Sequence, residues 1–354
     1  MKISSGRDLS CVAATGRLAR PRQSALDVTK CVSALLVVCI HYGEVRYGDD
    51  TISIVSQVCN GLERVAVPMF FLITGYYYPC LVERGQVNRQ LTKLVKMALG
   101  ASCLYALFYG FRAYFRGDIS MWWGGIWRMS RMFSWWVFNK DPFGFHLWYF
   151  YAVLYDIVLF KWLDRWRLWN KTVFLCIGFI FLCGLLLNYT DYYGWTRNFL
   201  FFGLPYMTVG RLLGEKKYVD GLLRLPDGLL VVFFIVCNLL IVTEILVLRE
   251  WFGKPLRDFY LSTLPLSVSW FLLAVHHPDW GNRSLAAVIG WKYSAYIFIF
   301  HVCVAWGVDA VLPAFGGVMY IVRPLLVFVC SLAVSYVWGK MQEWRVRWKQ
   351  DRSD

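Results

Sequence analysis

Apolar runs long enough to cross a bilayer recur along the whole of this chain, and no other feature constrains its fold as much. A hydrocarbon core about 30 Å thick needs about 20 apolar residues of helix. Such stretches fall at roughly 27–46, 60–80, 94–115, 143–161, 171–189, 196–213, 228–248, 258–276, 285–307 and 321–340. In lipid the backbone polar groups must be satisfied within the segment, so spans of this kind are helical. The expected fold is all-α: a polytopic integral membrane protein of about ten transmembrane helices. Pro68 and Gly75 interrupt the second run and Pro265 the eighth, and neighbouring helices can re-satisfy the backbone at such breaks.

Composition points the same way. Of 354 residues, 58% are apolar and 17% charged, where soluble domains carry about 25% charged residues. Many of the 18 tryptophans lie beside the apolar runs, among them Trp122, Trp123, Trp127, Trp135, Trp136 and Trp148, as expected of rings that favour the headgroup zone. The longest outer segment, roughly 116–142, contains MWWGGIWRMSRMFSWWVF. It reads either as an interfacial helix on the outer leaflet or as a loop dipping its tryptophans among the headgroups.

Charge sets the expected orientation. An even number of spans puts both termini on one side, and that side collects 25 Lys and Arg against 10 on the other. By the positive-inside rule both termini are cytoplasmic. Residues 1–25 are polar and basic with no apolar signal core, and read as a cytoplasmic extension. Residues 26–340 form the transmembrane domain, and 341–354 a basic cytoplasmic tail. The formal charge of +14 is scattered in short groups between the runs, so no nucleic-acid partner is expected. Eleven cysteines lie mostly inside apolar runs without metal-ligand spacing. They read as small buried hydrophobes, with neither a disulfide framework nor a bound metal.

Against this apolar background the ionisable residues inside the spans stand out. Lys30 and His41 are eleven positions apart in the first run, about three helical turns, so both project from one face with Asp27 close to it. His41 lies about 16 Å beyond Lys30 along the axis, near the bilayer midplane. Turning this stripe to lipid would cost several kcal/mol, so it faces protein or a water-filled cavity. His301 follows Lys292 by nine positions in the ninth run and is about 14 Å deep. Taken singly, His301 is equally readable as a packed core residue, and the alternative for His41 is a ring that only hydrogen-bonds a neighbouring helix. Two imidazoles at matching depth on parallel spans point to one site.

Arg64, His146 and Arg197 fall near the outer boundary, either lining an outer vestibule or anchoring their spans at the interface. Glu44, one turn past His41, is placed to pair with His41 or Arg64. His276 and His277 diverge by about 100° on a helix and have no acidic or cysteine ligand beside them in sequence, so they read as a loop pair and not a metal site. Nucleotide-binding and nucleophile-elbow fingerprints are absent.

Three stretches carry a likeness. They are DVTKCVSALLVVCIH with Asp27, Lys30 and His41, the run RVAVPMFFLITGYYY from Arg64, and IGWKYSAYIFIFHV with Ser294, Tyr296 and His301. Weaker echoes are HLWYFYAVLY, with Trp148, and RNFLFFGLPYMTVG. In this order, over residues 25–340, the chain resembles the integral-membrane acyltransferase 3 family, whose members O-acylate sugars and other cell-envelope molecules. Lys30 stands where the family more often has Arg, which keeps the charge and loses the planar fork. Thr74 replaces the usual Ser and keeps the hydroxyl.

The resemblance implies an acyl-CoA donor, acetyl-CoA by default, and a hydroxyl of a saccharide or lipid-linked saccharide acceptor, in the cytoplasmic (inner) membrane. It implies His41 as general base, Asp27 paired with Lys30 at the inner mouth, and His301 as a second proton-relay or oxyanion contact. Arg64, Glu44, His146, Trp148, Arg197 and Ser294 are then expected toward the acceptor. Arg211, Lys216, Lys217 and Lys292 are expected toward the CoA phosphates, although positive-inside bias accounts for them equally. The alternative reading is a proton-coupled transporter or flippase built on Lys30, His41 and His301, with Pro68 and Pro265 as helix breaks but no inverted repeat between the halves.

Overall fold

A computed structural model describes residues 22–42, 50–215, 221–312 and 318–350; Glu44, Lys216 and Lys217 lie outside them. Every regular element among the described residues is helical. The membrane helices begin with α1 (Ser24–Tyr42), α2 (Asp50–Glu63), α3 (Ala66–Glu83) and α4 (Val87–Arg116). Two short helices follow, α5 (Ile119–Ile126) and α6 (Met129–Phe138), then α7 (Trp148–Arg165), α8 (Lys171–Asn188) and α9 (Leu204–Gly214). The remainder is α10 (Asp227–Phe252), α11 (Thr263–His276), α12 (Leu285–Lys292), α13 (Ser294–Val311) and α14 (Val318–Gln350).

Among the described residues seven stretches are long and apolar enough to cross a membrane, and they coincide with the first, second, third, fifth, seventh, ninth and tenth runs. The chain is a multi-pass membrane protein. The fourth run forms α7, the sixth a π-helical turn at Phe199–Gly203 leading into α9, and the eighth α11; these are shorter or less apolar. For α7 the reason is its surroundings, since Trp148, Tyr149, Tyr151 and Asp156 are all buried in protein. Lipid does not select its composition.

The two prolines do not break their helices. Pro68 is the third residue of α3 and Pro265 the third of α11, in first turns whose N–H groups have no intrahelical acceptor. They mark helix starts, so neither proline itself breaks a helix as the transporter reading supposed. Real interruptions lie at Arg64 and Val65, between α2 and α3, at Tyr293, between α12 and α13, and at the Phe199–Gly203 π turn. The outer segment is helical, as α5 and α6, with Met121, Trp123, Trp127, Met129 and Trp136 exposed, as suits an interfacial element. At the other end α14 continues as helix through residues 341–350.

Two close backbone contacts hold the bundle in register. Gly210 and Gly214, four apart on α9, lie against α3, where an added Cβ would come within 2.2 Å of the Leu72 carbonyl oxygen and 2.5 Å of that of Tyr76. Small residues at this spacing let membrane helices approach to backbone contact. On α12, a Cβ at Gly290 would lie 1.7 Å from the Asp27 carbonyl oxygen. This approach sets the α12–α13 break beside Lys30 and carries α13 along α1, so that His301 comes level with His41.

Candidate active site

Three imidazoles from three separate elements meet inside the bundle. His41 of α1 and His301 of α13 stack with centroids 5.1 Å apart and planes 28° from parallel. His146, on the 3-10 turn Phe145–Leu147 just before α7, meets the His301 ring edge-on. It is buried beside Tyr105, whose ring centroid is 4.6 Å away. His146, expected with Arg64 and Arg197 in a vestibule, lines one cavity with both of them and also joins the histidine cluster. The turn that bears it folds inward because Asp141 accepts the backbone N–H groups of Phe143 and Gly144 at 2.8 and 2.7 Å.

Tautomers follow from the partners. His301 Nδ1 is 2.8 Å from the Phe298 carbonyl oxygen, which can only accept, so Nδ1 carries the proton. Its Nε2 is left as a lone-pair acceptor with no partner among the described residues. His301 is fully buried, whereas His41 and His146 both line a small cavity of about 50 Å³ with Arg64, Arg197, Asp258 and Trp148. That is room for a few water molecules or a reacting group. His41 and His146 are thus the rings that a ligand in this cavity touches, and His301 backs them.

A fixed polar frame flanks the cavity. Arg64 donates from Nε and Nη2 to Asn60 Oδ1 at 3.1 and 2.7 Å, and its Nη1 is 3.8 Å from Asp258. Arg197 Nε donates to the same Asp258 oxygen, and Thr196 Oγ1 donates to the other at 3.0 Å. Asn60 also donates to the Ile40 carbonyl at 3.1 Å, the residue before His41. Arg64, His146, Arg197 and Trp148, expected toward the acceptor, are brought together here. Asn60 and Asp258 were missed, because nothing in local spacing ties the end of α2 to the loop before α11.

On the other side of the cluster lies a second chamber of about 210 Å³, lined in part by Lys30, Thr74, Tyr149, Ser294 and Phe298. Asp27, 2% exposed, accepts from Lys30 Nζ at 3.1 Å and pairs with Arg22. Ser294 Oγ donates to the Gly290 carbonyl and Thr74 Oγ1 to that of Phe70, so both hydroxyl protons are used within their helices. Phe298 lines this chamber and the His41 cavity alike, its ring 5.8 Å from His301. It is the partition between them.

Two residues expected toward a phosphate-bearing ligand are elsewhere. Arg211 is 2.8 Å from Asp164, 2.9 Å from Glu215 and stacked 4.1 Å over Trp169. Lys292 is exposed beside the Trp291 ring. His276 and His277 do have an acidic partner, since both ring nitrogens reach the Asp227 carboxylate at 2.7 and 2.6 Å. That bond clasps the end of α11 to the start of α10. Among the described residues no group of three or more metal-ligating side chains comes together.

A model of one protein family, described as an acyltransferase domain, matches residues 23–339. No curated protein and no solved structure matches the chain.

Proposed function

This chain belongs to the acyltransferase 3 family and is a membrane acyltransferase, and we propose that it moves an acyl group, acetyl by default, from acyl-CoA to a hydroxyl of a cell-envelope saccharide or lipid-linked saccharide. The membrane is the cytoplasmic one, with Lys30 and both termini on its inner side. His41 is the general base. The observation that carries this reading is the cavity order along the bundle: a cation-bearing inner chamber, the Phe298 partition, and then a cavity where His41 meets Arg64 and Arg197.

The step runs as follows. His41 takes the proton of the acceptor hydroxyl as its oxygen bonds to the thioester carbonyl carbon, the carbon–sulfur bond breaks, and the departing thiolate takes the proton back from His41. Imidazole, with an unperturbed pKa of about 6.5, serves both directions near neutral pH. Arg64 and Arg197, held by Asn60 and Asp258, supply fixed positive charge to the carbonyl oxygen as it becomes an oxyanion. His301, with its Nδ1 proton committed to Phe298, holds the His41 ring in place and offers Nε2 to a relayed proton.

The test is acyl transfer by purified protein in proteoliposomes supplied with radiolabelled acyl-CoA and envelope glycan. His41→Ala removes transfer while the protein still inserts and purifies as wild type does. Near-normal turnover by that variant overturns His41 as base.

A further inference from the structure

A further large cavity adjoins the inner chamber, and the third matching stretch reaches it through Tyr296. It measures about 840 Å³, lies between α4, α13 and α14, and is walled by Arg89, Lys93, Lys96, Tyr296 and Trp338. Gln90, Lys93 and Met97 also line the inner chamber beside Lys30, so the two spaces meet along α4. No Asp or Glu lines either space. Arg89, Lys93 and Lys96 make no ion pair among the described residues, and all three are exposed.

Their spacing of four and then three residues puts them on one face of α4. Arg89 stands in its first turn, where the helix dipole opposes positive charge, and Lys93 and Lys96 stand beyond the dipole's reach. Helix stability therefore does not account for them, and orientation bias asks for cations near the inner surface without asking that they share a face toward a cavity. Three unpaired cations beside a cavity of ligand size are what a polyanion needs.

We propose, resting on the acyl-CoA reading above, that Arg89, Lys93 and Lys96 hold the phosphates of the donor's nucleotide head in the α4–α13–α14 cleft. The thioester arm passes Lys93 and Met97 into the chamber beside Lys30 and brings its carbonyl to Phe298. The partition ring is then the last barrier before His41.

The experiment compares acetyl-CoA with S-acetyl-pantetheine, which has the arm without the nucleotide, in wild-type protein and in the triple variant Arg89→Gln, Lys93→Gln, Lys96→Gln. Direct binding of CoA itself to both proteins is measured alongside. The triple variant is expected to raise KM for acetyl-CoA and Kd for CoA by at least about tenfold, the cost of lost charge-assisted contacts. Its kcat at saturation and its KM for S-acetyl-pantetheine stay within about threefold of wild type.

Unchanged KM and Kd overturn the site, as does an equal loss with both donors, which marks a structural wall. A loss that follows the anionic-lipid content of the vesicles and not the donor's head also overturns it, and assigns the cations to a lipid headgroup. Wild-type protein that binds CoA through these cations yet takes no acyl group from it upholds the site and overturns the donor reading alone.

Discussion

The imidazoles of His146 and His301 meet edge to face with their centroids 5.1 Å apart, and neither nitrogen of His146 has a hydrogen-bond partner among the described residues. A buried polar ring without partners is costly as pure packing. An aromatic of similar shape would fill the same volume among Tyr105, Phe298 and His301 at no such cost. His146→Phe is therefore the informative change. It should preserve folded yield and lower kcat by about 100-fold, the smaller end of what a lost proton-transfer group removes. Full turnover in His146→Phe would reduce this ring to filler.

The parts of this site legible in the sequence were those set by helical periodicity. Lys30 and His41 on one face of α1, and His301 at a matching depth on α13, follow from residue spacing once the spans are assigned. The contact of His146 with His301 was not legible, because it depends on the turn after Asn139, where Asp141 folds the chain inward. Asn139 pins that turn from both sides, donating to the Trp148 carbonyl and accepting from the Phe199 N–H. No periodicity encodes those bonds. Pro68 and Pro265 misled in the opposite way, since a proline in a helix start and one in a helix interior look alike until the start is known. The basic face of α4 went unused because positive-inside bias gives the same residues a sufficient reason to be there.

Asp258 holds Arg64 and Arg197 beside His41, and it is 4% exposed. Asp258→Asn keeps the shape and removes the charge, leaving two guanidinium groups facing each other across the cavity. Breaking a buried pair on one side costs about 3 kcal/mol, so a lower thermal midpoint in detergent is expected. Because the arginines are held for the transition state, kcat should fall by more than KM rises. A variant with lowered KM and unchanged kcat would show that Asp258 only balances charge.

Arg211 joins α9 to α7 through Asp164, and Asp164 also accepts from the Tyr78 hydroxyl at 2.7 Å. Its planar fork and its stacking on Trp169 use features that lysine lacks. Arg211→Lys is expected to lower thermal stability by about 1–3 kcal/mol while KM for acyl-CoA stays within about twofold. A raised KM at unchanged stability would return Arg211 to the donor site.

Gly290 packs against the Asp27 carbonyl with no room for a side chain. Gly290→Ala must part α12 from α1, and overpacking of this kind costs about 1–3 kcal/mol or more. Separation there moves the chamber wall that carries Ser294 as well as Lys30's neighbours. Reduced yield of monodisperse protein and a raised donor KM are expected together, measured by size-exclusion chromatography and steady-state kinetics.

Lys30 separates charge from shape most directly. Its ammonium lies 3.1 Å from Asp27, which Arg22 pairs from the other side, and its side chain is 24% exposed into the chamber. Lys30→Met leaves Asp27 with Arg22 alone and removes one of the chamber's two lysines, Lys93 being the other, whereas Lys30→Arg restores a cation with a wider reach. If the charge acts on the donor's phosphate or thioester, Lys30→Met should raise donor KM by about tenfold or more, and Lys30→Arg should stay within about threefold. If Lys30 serves only to neutralise Asp27, the double variant Lys30→Met, Asp27→Asn should recover wild-type KM, because no buried carboxylate then remains to be paired. Steady-state donor kinetics on the three proteins decide between a cation that works on substrate and one that only keeps a buried carboxylate satisfied.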